Sequence, residues 1–183
     1  TIGVSPGSDL RFSDKKVESS RNFTNKVWNA SRFVLMNFDE NIDFSKVSEE
    51  RFTVADKWIL TRINNLSKEI TENMEKFEVG IALQKVYEFI WEEFCDWYIE
   101  LVKPRLYDKE HESRLEAQYV LNYTLGNALK LLHPFMPFIT EEIYCHLIND
   151  DESIMVSKWP EYIEKYNYSE DEAKMQLIME AVR

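Results

Sequence analysis

Apolar and polar positions along the chain alternate with a helical period, broken by short polar or proline-containing stretches. From Lys15 to Phe38 no Gly or Pro interrupts the run, and a helix there has two distinct faces. Phe23, Val27, Ala30, Val34 and Phe38 fall on one arc, widened by Trp28 and Leu35, which reads as a core face. The opposite arc carries Lys15, Asn22, Lys26, Asn29 and Phe33. An ordinary solvated face holds Glu, Lys and Gln, whereas this one holds amides, lysines and a ring out of phase with the core.

A second helix is predicted from Val54 to Lys76, where Ile59, Ile63, Leu66, Ile70, Met74 and Phe77 recur at steps of three and four. Thr53 and Asp56 have the spacing of a capping box. A third helix, Val79 to Lys103, carries Val79, Leu83, Val86, Ile90, Phe94, Trp97 and Leu101 on one stripe and Tyr87, Trp91, Tyr98 and Val102 beside it. Lys85, Glu88, Glu92, Asp96, Glu100 and Lys103 mark its polar edge. So wide an apolar arc predicts the most buried helix of a bundle, with Trp91, Phe94 and Trp97 inaccessible and Pro104 as its end. Trp beside carboxylates suggests a glycosidase-like acid/base pair only weakly, because these acids follow the polar edge. A fourth helix, Arg114 to Leu132, aligns Leu121, Leu125, Ala128 and Leu132, with Gly126 at a close helix contact. His133-Pro134 breaks the pattern, and Thr140 caps a fifth helix with Ile139, Ile143, Tyr144 and Leu147 inward. Residues 149–168 leave the helical pattern, which resumes at Ser169 and runs to Arg183.

The fold class that follows is all-α, a helical bundle. Few breakers, four Gly and five Pro, agree with it. A chain of 183 residues suits one domain. The expected plan is a linker over 1–14, the bundle over 15–148, and an extended connection with the start of a further helix over 149–183. Ser13 or Asp14 is the expected N-cap of the first helix. A first residue other than Met, and a last helix still periodic where the sequence stops, point to a piece of a longer chain.

Charge changes the picture at one place. The formal net charge of −11 argues against a general nucleic-acid coat. Yet residues 1–35 hold Arg11, Lys15, Lys16, Arg21, Lys26 and Arg32 against Asp9, Asp14 and Glu18, a net of +3. A basic, aromatic face on an acidic body can still hold a polyanion. Cys95 and Cys145 stand fifty residues apart without metal-ligand spacing, so a buried free thiol at Cys95 in a reducing compartment is expected. His111 is expected at the surface, and His133 and His146 in structural roles. No run is apolar enough to span a bilayer and no signal peptide is evident, so the cytoplasm is the expected location. Gly3, Gly7, Gly80 and Gly126 are too scattered for a nucleotide-binding loop. Two readings survive: an RNA-binding module that stacks a base on Phe33, or a helical scaffold whose Phe33 docks a protein.

Five stretches in collinear order decide between them. Ser5-Pro-Gly-Ser-Asp-Leu-Arg-Phe-Ser followed by Arg21-Asn-Phe-Thr-Asn-Lys-Val-Trp-Asn-Ala-Ser-Arg-Phe-Val-Leu-Met-Asn resembles the valyl-tRNA synthetase family just after its catalytic signature loop. So do Phe89-Ile-Trp-Glu-Glu-Phe-Cys-Asp-Trp-Tyr-Ile-Glu-Leu-Val-Lys-Pro-Arg-Leu and Leu132-His-Pro-Phe-Met-Pro-Phe-Ile-Thr-Glu-Glu-Ile, with Ser153-Ile-Met-Val-Ser-Lys-Trp-Pro after them. The Leu-His-Pro-Phe block is shared with isoleucyl and leucyl enzymes, while the Asn-Lys-Val-Trp-Asn-Ala-Ser-Arg-Phe block is more specific to the valyl branch. The resemblance implies the helical anticodon-binding domain, a monomer that holds the anticodon stem-loop of valine tRNA beside the enzyme's own catalytic domain. It carries the family's anticodon contacts onto Arg11, Lys15, Lys26, Asn29 and Phe33, to which the helical face adds Asn22. Lys15 often stands as Arg in that family, and a lysine holds a phosphate but lacks the planar fork. The ATP-site motifs His-Ile-Gly-His and Lys-Met-Ser-Lys-Ser do not occur in these residues. No catalytic residue, metal or cofactor is therefore expected here, ATP and valine belonging to the catalytic domain, and this chain alone should give no valine-dependent ATP–pyrophosphate exchange.

Overall fold

The computed structural model describes residues 14–149 and 151–182. Arg11 and Ser13, named above as an anticodon contact and a possible cap, lie outside them. Among the described residues there is no strand, and the chain forms a helical bundle. The helices are α1 (Asp14–Met36), α2 (Val54–Glu75), α3 (Val79–Glu88), α4 (Ile99–Tyr107), α5 (Arg114–Leu132), α6 (Pro137–Tyr144) and α7 (Ser169–Val182). No described helix is long and apolar enough to cross a membrane.

Local signals account for most boundaries. Thr53 and Asp56 form the expected capping box, each side chain bonded to the other's backbone N–H. α2 ends in a Schellman motif, with Glu78 N–H donating to Asn73 O at 2.8 Å and Phe77 N–H to Met74 O at 3.0 Å. The left-handed residue of that motif is Phe77, at φ 59°, where glycine is the usual occupant. Its side chain is solvent-exposed, so no packing offsets the backbone strain. Phe77→Gly should raise the unfolding free energy by about 1 kcal/mol, read as a higher urea midpoint at unchanged slope.

α3 and α4 are one continuous rod, joined by a π-helical segment, Phe89–Tyr98. Within it the Ile99 N–H reaches Phe94 O, five residues back. The wider turn changes the helical phase. Buried neighbours step from Phe89 and Ile90 to Phe94 and Cys95, then to Tyr98 and Ile99. The regular stripe expected from the sequence is therefore corrected. Trp91 and Trp97 are half-buried, Leu101 is exposed, and only Phe94 of the three expected aromatic residues is sealed. Val79 is also exposed, as is Trp28 on α1. The most enclosed helix is α5, which buries twelve of its nineteen residues.

Pro104 does not end the rod, which continues to Tyr107. Proline removes one backbone donor, but Arg105 and Leu106 beyond it are buried and hold the last turn. Gly126 is not needed for a close approach, because a methyl group there would meet Leu147 Cδ1 at 3.7 Å, an ordinary contact. Thr140 is not the cap of α6. The helix starts at Pro137, a favoured first position, and Thr140 Oγ1 donates to Met136 O instead. His111 is half-buried and accepts from the Ser113 N–H at 3.2 Å.

Buried polar groups tie the layers together. Asp56 of α2 accepts from Tyr98 Oη at 2.7 Å and from Arg105 Nη1 at 2.7 and 2.9 Å, and Arg105 also donates to Ser113. Arg62 grips Glu93 of the π segment through two bonds of 2.7 and 2.8 Å, and Glu172 of α7 at 3.3 Å. Asn64 holds the backbone of Ile163 through both its amide groups. The irregular 151–168 stretch is thereby fastened to α2, and α7 packs along the same helix with Met175 buried.

Candidate nucleic-acid interface

α1 is an outer helix, and its core arc docks it. Phe23 packs on Tyr87 with ring centroids 4.5 Å apart, and on Trp91 at 6.5 Å. Val27, Ala30 and Val34 continue the contact into the core. A groove of about 520 Å³ remains between α1 and the π segment with α4. Asn22, Asn25, Lys26, Asn29 and Phe33 line one wall, and Asp96, Glu100 and Lys103 the other, above Ala30, Cys95 and Ile99.

Four residues of the helical face, Asn22, Lys26, Asn29 and Phe33, are thus brought into one groove. Lys15 is exposed on the same face, two turns before Asn22 and about 10 Å along the axis, and does not line it. Phe33 has two environments. It packs partly against the core, and its remaining surface faces the groove with Lys103 Nζ 5.8 Å from the ring centre.

The electrostatics differ from the sequence expectation. Lys26 is not a free cation: its Nζ donates to Asp96 Oδ1 at 2.6 Å and sits 3.8 Å above the Trp91 ring. Lys103 pairs with Glu100 in the same way. The two cations of the groove are each matched by a carboxylate, so its lining carries no net charge. Beneath them, burial pushes the Cys95 thiol up to about 12, which keeps it a neutral thiol rather than a nucleophile. No group of three or more His, Cys, Asp or Glu among the described residues is arranged to hold a metal.

Sequence reasoning missed Asn25 and the second wall. Asp96, Glu100 and Lys103 were visible at steps of four and three on a polar edge, but nothing in one sequence marks which helix lies opposite that edge. The assembled groove offers amide donors and acceptors, carboxylate acceptors and an aromatic face, without net charge. That is a lining suited to a planar heterocycle with polar edges, as an unpaired base is.

The chain is a member of the family described as the anticodon-binding domain of tRNA ligase, whose sequence model matches residues 56–183. That match includes the Asp96 wall and not α1. Similarity to single proteins reaches further along the chain. It is 53% identical over 99% of its length to valine–tRNA ligase of Clostridium perfringens. It is 52% identical to the enzyme of that name from Clostridium acetobutylicum and 49% to that of Bacillus licheniformis, again over 99%. The chain spans about a fifth of the length of these relatives, 21%, 20% and 21% respectively.

Proposed function

We propose that this chain is the tRNA-anticodon recognition module of a cytoplasmic valine–tRNA ligase, in which a separate catalytic domain joins valine to its tRNA with ATP. The observation that carries this reading is the groove that gathers Asn22, Lys26, Asn29 and Phe33 from one helical face. Asn29 and Asn22 supply donors and acceptors to base edges, and Phe33 supplies a surface for stacking. Lys15, which lies outside the groove, supplies attraction to the phosphate backbone, and Arg11 adds a second positive charge to that attraction. The relatives' names support valine as the amino acid served.

The test is fluorescence anisotropy with isolated anticodon stem-loops of valine, isoleucine and methionine tRNA. Preferential binding of the valine stem-loop is expected, and equal binding of all three would remove the anticodon from the reading. The ion pair of Lys26 adds a second expected result. Lys15→Ala should shallow the slope of log affinity against log salt by about 0.7 to 0.9, as one lost phosphate contact does. Lys26→Ala should change it by much less, because Asp96 already neutralises that charge. A full loss of slope at Lys26 would mean that it leaves Asp96 for a phosphate.

A further inference from the structure

We infer that Asp96 is a specificity-determining residue, whose carboxylate accepts a hydrogen bond from the exocyclic amine of a base lying against Phe33, so that the groove favours adenine or cytosine over uracil. The inference rests on the base-reading role proposed above and assigns that role's selectivity to the wall opposite α1.

Three observations carry it. The first is charge. With Lys26 and Lys103 each paired, the groove has no spare cation to hold a phosphate, so its polar groups are left to meet a neutral edge. The second is order. The Lys26 ammonium is fixed between the Trp91 ring and Asp96 Oδ1, which holds the Asp96 carboxylate in one orientation before any ligand arrives. Only Oδ1 is engaged among the described residues, and the side chain is half exposed, so Oδ2 is free to accept. The third is position. The wide π turn buries Cys95 and sets Asp96 next to it at the groove wall, one turn before Glu100.

A carboxylate discriminates by what it cannot do. It accepts from the N4 amine of cytosine or the N6 amine of adenine. The O4 carbonyl of uracil at the same place puts two acceptors face to face, and both stay unpaired. Asn22, Asn25 and Asn29 cannot impose this alone, because each amide presents a donor as well as an acceptor.

The test uses the whole chain with stem-loops that differ at one anticodon position, each position being varied in turn. The bases compared are cytosine, uracil and pyrimidin-2-one, which lacks the amine. The unchanged protein should bind the cytosine loop about tenfold or more tighter than the other two at one position. Asp96→Ala should remove that preference, and Asp96→Asn should shift it toward uracil, whose carbonyl the new amide can donate to. Thermal unfolding should be close to unchanged in both, since Asp96 sits at the surface. A variant that binds every loop equally more weakly, keeping the preference, would make Asp96 only a positioner of Lys26 and overturn the inference. Equal binding of the three bases by the unchanged protein would overturn the inference and leave the anticodon role standing. Failure to bind any stem-loop would remove both.

Discussion

Asp56→Ala should lower the unfolding free energy by about 3–5 kcal/mol, the cost of breaking a buried ion pair from one side. Asp56 is fully buried, and four groups depend on it. Its carboxylate accepts from Arg105, from Tyr98, and from both the N–H and hydroxyl of Thr53 at the start of α2. Removing it strands the Arg105 guanidinium, itself buried, and opens the capping box in the same step. Urea denaturation beside a Tyr98→Phe variant, which leaves the Arg105–Asp56 pair in place, separates the phenol hydrogen bond from the rest of the loss. Tyr98→Phe deletes one hydrogen bond to a charged group and should cost about 1.5–3 kcal/mol, less than Asp56→Ala. Equal losses would mean that Arg105 finds another partner. The pair also explains how α4 survives Pro104: the side chain after the proline is anchored to α2 and to Ser113.

Phe33→Ala should weaken stem-loop binding by about 1–3 kcal/mol, the usual worth of one base stacked on an aromatic ring. The same change at a sealed phenylalanine costs about 3–5 kcal/mol of stability. Phe33 is only half-buried, with one side on the core and the other in the groove, so its stability loss should fall below that range. Measuring thermal unfolding and stem-loop affinity on one mutant separates the two effects. Wild-type affinity with a much lower melting temperature would make Phe33 a packing residue. Loss of affinity together with a stability loss smaller than that of a sealed phenylalanine is the expected result.

Much of this architecture is legible in the residues. The all-α class, the helix breaks near Phe52, Lys76 and His133, the Thr53–Asp56 cap and the polar face of α1 follow from spacing alone. The phase of the third helix does not. From Phe89 to Ile99 apolar residues are so frequent that more than one helical stripe beside the polar edge looks hydrophobic. A five-residue step leaves no mark in such a run. Trp97 and Leu101 are therefore expected inside, whereas Ile99 is buried in their place and the expected burial of Cys95 is met. The groove's first wall is legible because an aromatic ring stands out of phase on α1. The second is not, because the Lys26–Asp96 pair joins positions seventy residues apart and looks in sequence like two solvated charges.

The π segment also bears on how such a domain varies by descent. A wide turn of this kind is what remains when an α-helix accepts one extra residue without breaking. Wound as a regular α-helix, the same residues would turn everything after them by about 100° for the residue the wide turn absorbs. Asp96, Glu100 and Lys103 would swing off the groove, and Arg105 would leave Asp56. The groove wall and the buried Asp56–Arg105 pair thus both depend on the same extra residue being taken up locally. Related sequences that lack one residue between positions 89 and 98 should wind regularly here and keep the acid at position 56 together with the arginine at position 105.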